Sequence, residues 1–465
     1  MVSDERNAHE GPATFREVFA PSEFRAIYAS GALTWFGDYL TKAAVSILVY
    51  QQSKSVALSA AAFAMSYLPW LIGGPLLTTL AERYSYRTVM VVCDLTRMSL
   101  ISLVAIPGLV PTQLIPVVLF ASALANPPSQ AARSALIPFI LTGDRLVVGL
   151  GLITSTGQAA QFTGYLAGAA ISIINPHLAL FLNTLTFALS AVLIRFGVRQ
   201  RPSAMTTAHR SHLLRETAEG FRIVFGTPVL RAIAIMVFAS MLFAIVPEGL
   251  AAAWANERAD GGNAHLAQGM IMAASPIGFI LGGVVIGRAV RPDRRRSLIR
   301  LFAVMAPLAL VPALLDPSPP VVALLTAITG FAVAGLMPVA NGLFVQALPQ
   351  GFRARAFGVM GTGVQVMQGV AVLLTGLLAN RFPIPLTVGL WSLAGACLML
   401  VAALNWPTSD RFEAAIAAAR GGAPDNGSEP TVGEPAGPAT VPTGQDQSSG
   451  PQARPPASQA GVGSA

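Results

Sequence analysis

Long apolar runs recur along most of the chain, separated by short stretches that hold charges, glycine or proline. A helix needs roughly 20 apolar residues to cross the hydrocarbon core of a bilayer, and these runs have that length. Because lipid offers no hydrogen-bond partners to the backbone, such chains fold as bundles of membrane-spanning helices. The runs lie at 24–50, 57–80, 88–108, 113–137, 149–173, 178–197, 229–254, 266–289, 297–315, 320–346, 356–380 and 385–405. They predict an all-α polytopic membrane protein with twelve transmembrane helices.

The composition agrees with this prediction. Hydrophobic residues make up 53% of the chain and charged residues only 11%, whereas soluble domains carry about a quarter charged residues. The net charge of +8 raises the question of nucleic-acid binding, but the chain has no basic stripe with interleaved aromatic residues. We therefore expect the lipid bilayer, and no nucleic acid, as a partner.

The basic residues predict the orientation in the membrane. With both termini in the cytoplasm, the cytoplasmic side receives nearly all the arginines, and the opposite loops hold only Lys54, Arg258 and Arg381. Positively charged loops stay on the cytoplasmic side during insertion. Only two of the 30 basic residues are lysines, which is typical of a GC-rich bacterial genome. The sequence therefore predicts a multi-pass protein of the bacterial cell membrane with both termini cytoplasmic.

The spans fall into two groups of six, which defines the domain organisation. The polar N-terminus lacks the pattern of a cleaved signal peptide, and from about 421 the chain turns to Gly, Pro, Ser and Gln, a composition that cannot bury a core. We predict a cytoplasmic N-terminal segment (1–23), an N-terminal bundle (24–197), a cytoplasmic linker with a short amphipathic helix (198–228), a C-terminal bundle (229–405) and a cytoplasmic tail (406–465) that is disordered from about 421.

The two groups of spans repeat each other. The first span opens with FRAI at 24–27 and the seventh with LRAI at 230–233, while ALIP at 135–138 matches QALP at 346–349. These matches are offset by 206 and 211 positions, so the register drifts by only a few residues. Duplicated six-span bundles are typical of secondary transporters, which bind substrate at the midplane between the repeats.

Several motifs resemble the major facilitator superfamily. GPLLTTLAERYSYRTVM at 74–90 is similar to that family's signature loop: Leu80, Ala81, Arg83 and Arg87 match, while Glu82 stands in place of aspartate. GDYLT (37–41), DLTR (94–97), PPSQAARSALIP (127–138), PEGL (247–250) and RARAFGV (353–359) resemble a branch that includes enterobactin exporters and macrolide efflux proteins. The resemblance implies two pseudo-symmetric six-helix bundles that export a small molecule.

One position departs from the pattern of proton antiporters in this family. Such exporters often carry a Gly-Pro pair in the fifth span, and here Tyr165 stands where the proline would be. This motif therefore gives no support for proton antiport. The nearby Gly157, Gly164 and Gly168 predict close helix packing.

Ionisable side chains inside spans are costly unless they are paired or face a wet cavity, so they are the leading functional candidates. On the cytoplasmic side, Asp94 and Arg97 are spaced so that they can pair along one helix face. The resemblance implies that this region latches the two halves together when the transporter faces outward. The alternative is a purely structural anchor. The latch candidates are Glu82, Arg83, Arg87, Asp94, Arg97 and Arg133.

The first span carries Asp38 and Lys42, one helical turn apart. The repeat offset of 206 maps Lys42 onto Glu248 of the seventh span, and in the resembling fold these spans face each other. We therefore expect Lys42 and Glu248 to pair across the axis as an outer gate, with Asp38 as a partner of Lys42 or as a proton site. The alternative is a static Asp38–Lys42 pair, with Glu248 exposed at the outer rim.

Other polar side chains near the midplane are candidates for substrate contact. Amides inside a bundle serve as often to hold helices together as to bind a ligand. The candidates are Tyr28, Trp35, Gln158, Gln161, Asn341, Gln365 and Gln368.

The chain has no phosphate-binding loop, and its histidines lack metal-ligand spacing. We therefore expect a protein that is not an enzyme and has no cofactor or metal site. The predicted function is proton-coupled export of a small amphiphilic compound (a drug, natural product or siderophore) by a monomer that works by alternating access. The alternatives are an importer of a metabolite or siderophore complex, and a non-transporting membrane sensor.

Overall fold

The computed structural model describes residues 14–77, 83–201, 213–258, 262–349 and 353–421, and all regular elements in these ranges are helical. In the N-terminal part the helices are α1 (Phe15–Val18), α2 (Ser22–Ser53), α3 (Val56–Ala64), α4 (Trp70–Leu77), α5 (Tyr86–Ala105), α6 (Ile115–Ala123), α7 (Asn126–Ile140), α8 (Asp144–Ile174) and α9 (Pro176–Gly197).

The remaining helices begin in the segment that follows the first six spans. They are α10 (Leu213–Gly226), α11 (Pro228–Ala244), α12 (Val246–Arg258), α13 (Gly262–Ala289), α14 (Pro292–Leu308), α15 (Pro319–Ala347), α16 (Arg353–Ala379), α17 (Ile384–Leu404) and α18 (Ser409–Gly421). Short 3-10 turns at Thr112–Leu114 and Val311–Leu315 precede α6 and follow α14.

The predicted all-α membrane fold is confirmed, and helical segments lie at each of the twelve predicted runs. Eight stretches among the described residues are long and apolar enough to cross a membrane by themselves. The second and fourth runs are each divided into two shorter helices, where Pro69 precedes α4 and Pro127 lies in the first turn of α7. Proline favours the first turn of a helix because it has no N–H to leave unpaired there. The count of twelve spans stays a prediction.

Glycine lets helices approach closely within each half. In the first half, a Cβ at Gly168 would lie 2.5 Å from the carbonyl oxygen of Leu40, so α8 packs directly on the backbone of α2. In the second half, a Cβ at Gly278 on α13 would overlap the carbonyl oxygen of Ala327 on α15. In lipid the hydrophobic effect does not drive helices together, so their association depends on the close van der Waals packing that small residues allow.

The two halves contact each other along two helix pairs. On one side α3 and α4 lie against α16, where a Cβ at Gly369 would approach the side chain of Leu68 at 2.8 Å. On the other side α8 lies against α13, and the side chain of Gln268 on α13 donates to the carbonyl oxygen of Ala43 on α2 at 2.9 Å. The space between these two contacts is where the chain can hold a substrate.

One ion pair fixes the start of the first long helix. Glu23 accepts hydrogen bonds from the guanidinium of Arg201, one at 2.8 Å, and from the backbone N–H of Arg199 at 3.1 Å. Burial by itself raises the pKa of Glu23, but Arg201 and Arg199 together lower this pKa below its ordinary value. The contact joins the first turn of α2 to the segment after α9.

Candidate functional site

A cavity of about 360 Å³ lies between the two halves, and we call it the central cavity. Its first-half wall holds Tyr39, Lys42, Tyr67, Gln158 and Gln161, and its second-half wall holds Glu248, Gln365 and Gln368. The rest of the second-half wall is mostly apolar, with Met241, Phe279 and Met337 among its side chains. Such a wall offers adaptable apolar surface beside a few polar groups, as in many small-molecule sites.

Glu248 is the acidic group of the central cavity. It lies in the first turn of α12, directly after the break at Ile245, and is only 2% exposed. The hydroxyl of Tyr165 donates to its carboxylate at 2.9 Å, and the amide of Gln161 donates at 3.4 Å. Glu248 is therefore buried and held from the opposite half of the protein, which contradicts the alternative that placed it at an exposed rim.

Lys42 lies among aromatic rings. Its ammonium nitrogen is 4.1 Å from the ring centre of Tyr67 and 4.7 Å from that of Tyr39, with Phe63 at 5.9 Å. The faces of these rings are negative and attract the cation. Among the described residues Lys42 makes no ion pair, so neither the static pair with Asp38 nor a closed pair with Glu248 is formed here. Lys42 and Glu248 nevertheless line the same cavity, and their role as a gate stays a prediction.

A second cavity of about 150 Å³ is lined mainly by residues of the first half, and we call it the polar cavity. Asp38, Arg97, Arg133 and Asn183 line it, and it shares Lys42, Tyr39 and Gln365 with the central cavity. The two cavities therefore adjoin at the Lys42 side chain. Most of the remaining wall consists of hydroxyl and amide side chains, among them Ser122, Ser129 and Gln130.

Asp38 forms its ion pair with Arg97 rather than with Lys42. Arg97 also stacks on Phe187 of α9, with 4.2 Å between the guanidinium carbon and the ring centre. The expected pairing of Asp94 with Arg97 along α5 is absent from the described ion pairs, because Asp94 accepts from Ser190 of α9 at 2.6 Å while Arg97 is bound by α2.

The latch candidates do not gather into one cluster. Arg83 is exposed, and Arg87 donates to the side chain of Gln200 at 2.6 Å. Arg133 is buried against the polar cavity, and Glu82 lies outside the described residues. Among the described candidates no ion pair joins any two of them, and their role as a latch stays a prediction.

The substrate-contact candidates divide into three groups. Gln158, Gln161, Gln365 and Gln368 line the central cavity, and Trp35 lines the polar cavity. Tyr28 instead bonds to the hydroxyl of Thr156 and lines neither cavity. Asn341 is exposed and also lines neither.

Three tyrosines of the site were not among the predicted site residues: Tyr39, Tyr67 and Tyr165. The chain has only seven tyrosines, and a tyrosine inside an apolar run needs a partner for its hydroxyl. That requirement is the signal that could have identified them. Within the described residues no group of three or more His, Cys, Asp or Glu side chains could hold a metal ion.

Comparison with known proteins agrees with this architecture. Residues 258–444 match the profile of the Major Facilitator Superfamily. The chain is 26% identical over 364 residues to the multidrug efflux pump Tap of Mycolicibacterium fortuitum, an alignment that covers 74% of this chain and 86% of the relative. It is 20% identical over 396 residues to macrolide efflux protein A of Streptococcus pyogenes, covering 83% and 95%.

Solved structures with similar folds include a peptide transporter POT in complex with sulfate, with a TM-score of 0.64 at 16% identity. That alignment covers 87% of this chain and 97% of the other. The nucleoside transporter NupG (D323A mutant) aligns with a TM-score of 0.61 at 15% identity, covering 85% and 99%. These likenesses show the fold.

The profile match and the two efflux relatives identify the chain as a multi-pass membrane transporter and not an enzyme. The resemblance to the major facilitator superfamily, and within it to efflux proteins, is confirmed.

Proposed function

We propose that this protein is a secondary active exporter of a small amphiphilic compound and works by alternating access, driven by the proton gradient. The central cavity is the observation that supports this proposal most directly. It lies between the two repeats and combines apolar surface from Met241 and Phe279 with amides and one buried carboxylate, Glu248. A transporter needs such a site to be reachable from each side in turn.

The proposed direction rests on the similarity to efflux proteins. Both curated relatives named above carry the word efflux in their names, and their alignments cover most of their own length. The same fold can carry a substrate in either direction, so an importer is the second candidate. A non-transporting sensor is a weaker candidate, because it has no need of costly buried charges.

Two acids on the cavity walls are the proposed carriers of the coupling proton. Asp38 is bound to Arg97 and lines the polar cavity, whereas Glu248 takes neutral donors from Tyr165 and Gln161 in the central cavity. An acid that binds neutral donors can lose its charge without leaving a cation unpaired. We therefore propose Glu248 as the main proton site and Asp38 as the second.

The test uses the purified full-length protein in liposomes with an imposed pH gradient. Uptake of neutral, acidic and basic amphiphilic dyes into acid-filled vesicles, in excess of the uptake into protein-free vesicles, reports export-like antiport, and a protonophore should abolish this excess. Glu248→Gln should remove accumulation driven by the gradient while leaving substrate exchange at equal pH. Accumulation that needs an acidic exterior would instead show a proton-coupled importer, and no gradient-dependent movement of any dye would contradict the proposal.

A further inference from the structure

Arg133 is a buried cation without an acceptor. The residue is 5% exposed and lines the polar cavity, and its Nε is buried with no hydrogen-bond partner. Among the described residues its guanidinium makes no ion pair; it packs against Gly31, and its central carbon lies 5.7 Å from the ring centre of Trp35. A guanidinium carries five N–H donors, and burying it unpaired costs several kcal/mol.

Lys42 is a second cation that makes no ion pair among the described residues. Its ammonium is held only by ring faces, and it lies on the wall that the two cavities share. Ring faces attract an ammonium but do not neutralise its charge. Both cations therefore keep their capacity to bind an anion.

None of the acids near these cations forms an ion pair with Arg133 or Lys42 in the described structure. Asp38 is the one acid of the polar cavity and is bound by Arg97. Asp94 is buried and does not line the cavity; one of its carboxylate oxygens accepts from Ser190, and its Oδ1 has no hydrogen-bond partner among the described residues. Glu248 lines only the central cavity. The wall of the polar cavity thus holds three cations and one acid, with neutral hydroxyl and amide donors between them.

We propose that the polar cavity binds the oxyanion group of an acidic amphiphile, with Arg133 and Lys42 as its counter-charges and the apolar body of the substrate in the central cavity. The polar cavity, at about 150 Å³, suits a head group, and the central cavity, at about 360 Å³, offers Met241, Phe279 and Met337 to the body. The inference rests on the proposed transport function and assigns its substrate class.

The experiment compares ligands that share one apolar body. Calorimetric titration of the purified full-length protein in detergent would use 1-naphthylacetate, 1-naphthyl phosphate, 1-naphthylacetamide and 1-naphthylmethylamine. At least one of the two anions should bind about tenfold or more tightly than the neutral amide, since charge-assisted hydrogen bonds are the strong ones. Equal binding of both anions and the amide, or tighter binding of the amine than of either anion, would overturn the proposal.

Variants then assign the charge. Arg133→Gln should weaken anion binding by about tenfold or more and change amide binding by less than about threefold, whereas Arg133→Lys should retain part of the anion affinity. The matched control is Arg296→Gln, because Arg296 is exposed, donates to Gln346 at 3.2 Å and lines neither cavity. If Arg133→Gln does not fold, Lys42→Gln carries the same expectation. Anion affinities of the variants that match the control would refute the assignment.

Binding and transport fail separately in this design. An anion that binds selectively but is never moved by a pH gradient in liposomes would contradict the proposed transport and leave the site standing. The opposite outcome is gradient-driven transport of a neutral or basic dye that is unchanged in Arg133→Gln, with no selective binding of either anion. That outcome would contradict the proposed anion site and would still support the proposed transport.

Discussion

Breaking the ion pair between Asp38 and Arg97 should destabilise the protein strongly. The side chain of Arg97 is 6% exposed and that of Asp38 is 22% exposed, and the two come from different helices, α5 and α2. Arg97→Met removes the guanidinium and leaves the carboxylate without its ion-pair partner. Removing one partner of a buried pair costs about 3–5 kcal/mol. Because Asp38 borders the polar cavity, which admits some solvent and also holds Lys42, we expect the lower end, about 3 kcal/mol.

The coupling between the two residues gives the sharper number. Asp38→Asn together with Arg97→Met removes both charges, so the double variant should be more stable than the sum of the single losses predicts by about 2 kcal/mol. Equilibrium unfolding in mixed micelles of sodium dodecyl sulfate and dodecyl maltoside, followed by circular dichroism, measures these free energies.

An exposed pair of the same structure provides the control. Arg145 and Glu17 lie 3.5 Å apart with side chains 47% and 44% exposed, so Arg145→Met should cost less than about 1 kcal/mol. The reasoning is refuted if Arg97→Met costs no more than this control, or if the losses of Asp38→Asn and Arg97→Met simply add.

Three further predictions follow from other contacts. The pKa of Glu23 lies below its ordinary value of 4.5 in the folded protein, so the stability that its carboxylate contributes is complete above about pH 4.5 and is lost as the pH falls through the lower, folded value. Glu23→Gln should therefore flatten the fall in unfolding free energy below about pH 4.5. An unchanged pH profile of the unfolding free energy would contradict this. Gly278→Ala should cost about 1–3 kcal/mol through overpacking, whereas Gly283→Ala on the same helix meets no atom within 4 Å and should be neutral or slightly stabilising in the same unfolding assay; equal losses would contradict the packing argument. Lys42→Glu and Glu248→Lys should each abolish transport of a neutral amphiphile in liposomes, and the double variant should recover part of that transport. A double variant as inactive as the single variants would refute the hypothesis that Lys42 and Glu248 form a gate.

The helical fold and the internal repeat could be predicted because both follow from the sequence without any knowledge of which helices pack together. Span length depends only on how many apolar residues follow one another, and the repeat offset is a comparison of the sequence with itself. That offset of 206 placed Lys42 opposite Glu248, and the structure puts both on the wall of the central cavity. The breaks at Pro69 and Ile245 were not predicted. Pro69 and Pro247 are the sequence signal for them, because a proline inside an apolar run removes a backbone hydrogen bond from the helix.

The partners of the buried charges could not be predicted from spacing. Spacing along one helix identifies residues that share a face, and it favoured Asp94 for Arg97 and Lys42 for Asp38. In the bundle each helix face meets a neighbouring helix, whose rotation decides which groups meet, so Arg97 reaches Asp38 of α2. Tyr165 is a further example: in the sequence it only departs from a motif, whereas in the structure its hydroxyl donates to Glu248 of the other half.

The two proposals for Lys42 have a joint consequence for the transport cycle. In the described structure both cavity acids have fixed partners, Asp38 on Arg97 and Glu248 on Tyr165, while the ammonium of Lys42 rests on ring faces only. One ammonium cannot serve the substrate anion and Glu248 fully at the same time, because each contact needs its charge. A bound anion therefore holds Lys42 away from the gate, and release of the anion frees Lys42 to pair with Glu248. Substrate occupancy and gate closure would then compete for the same charge, so the empty and the loaded carrier would favour different conformations without any further coupling residue.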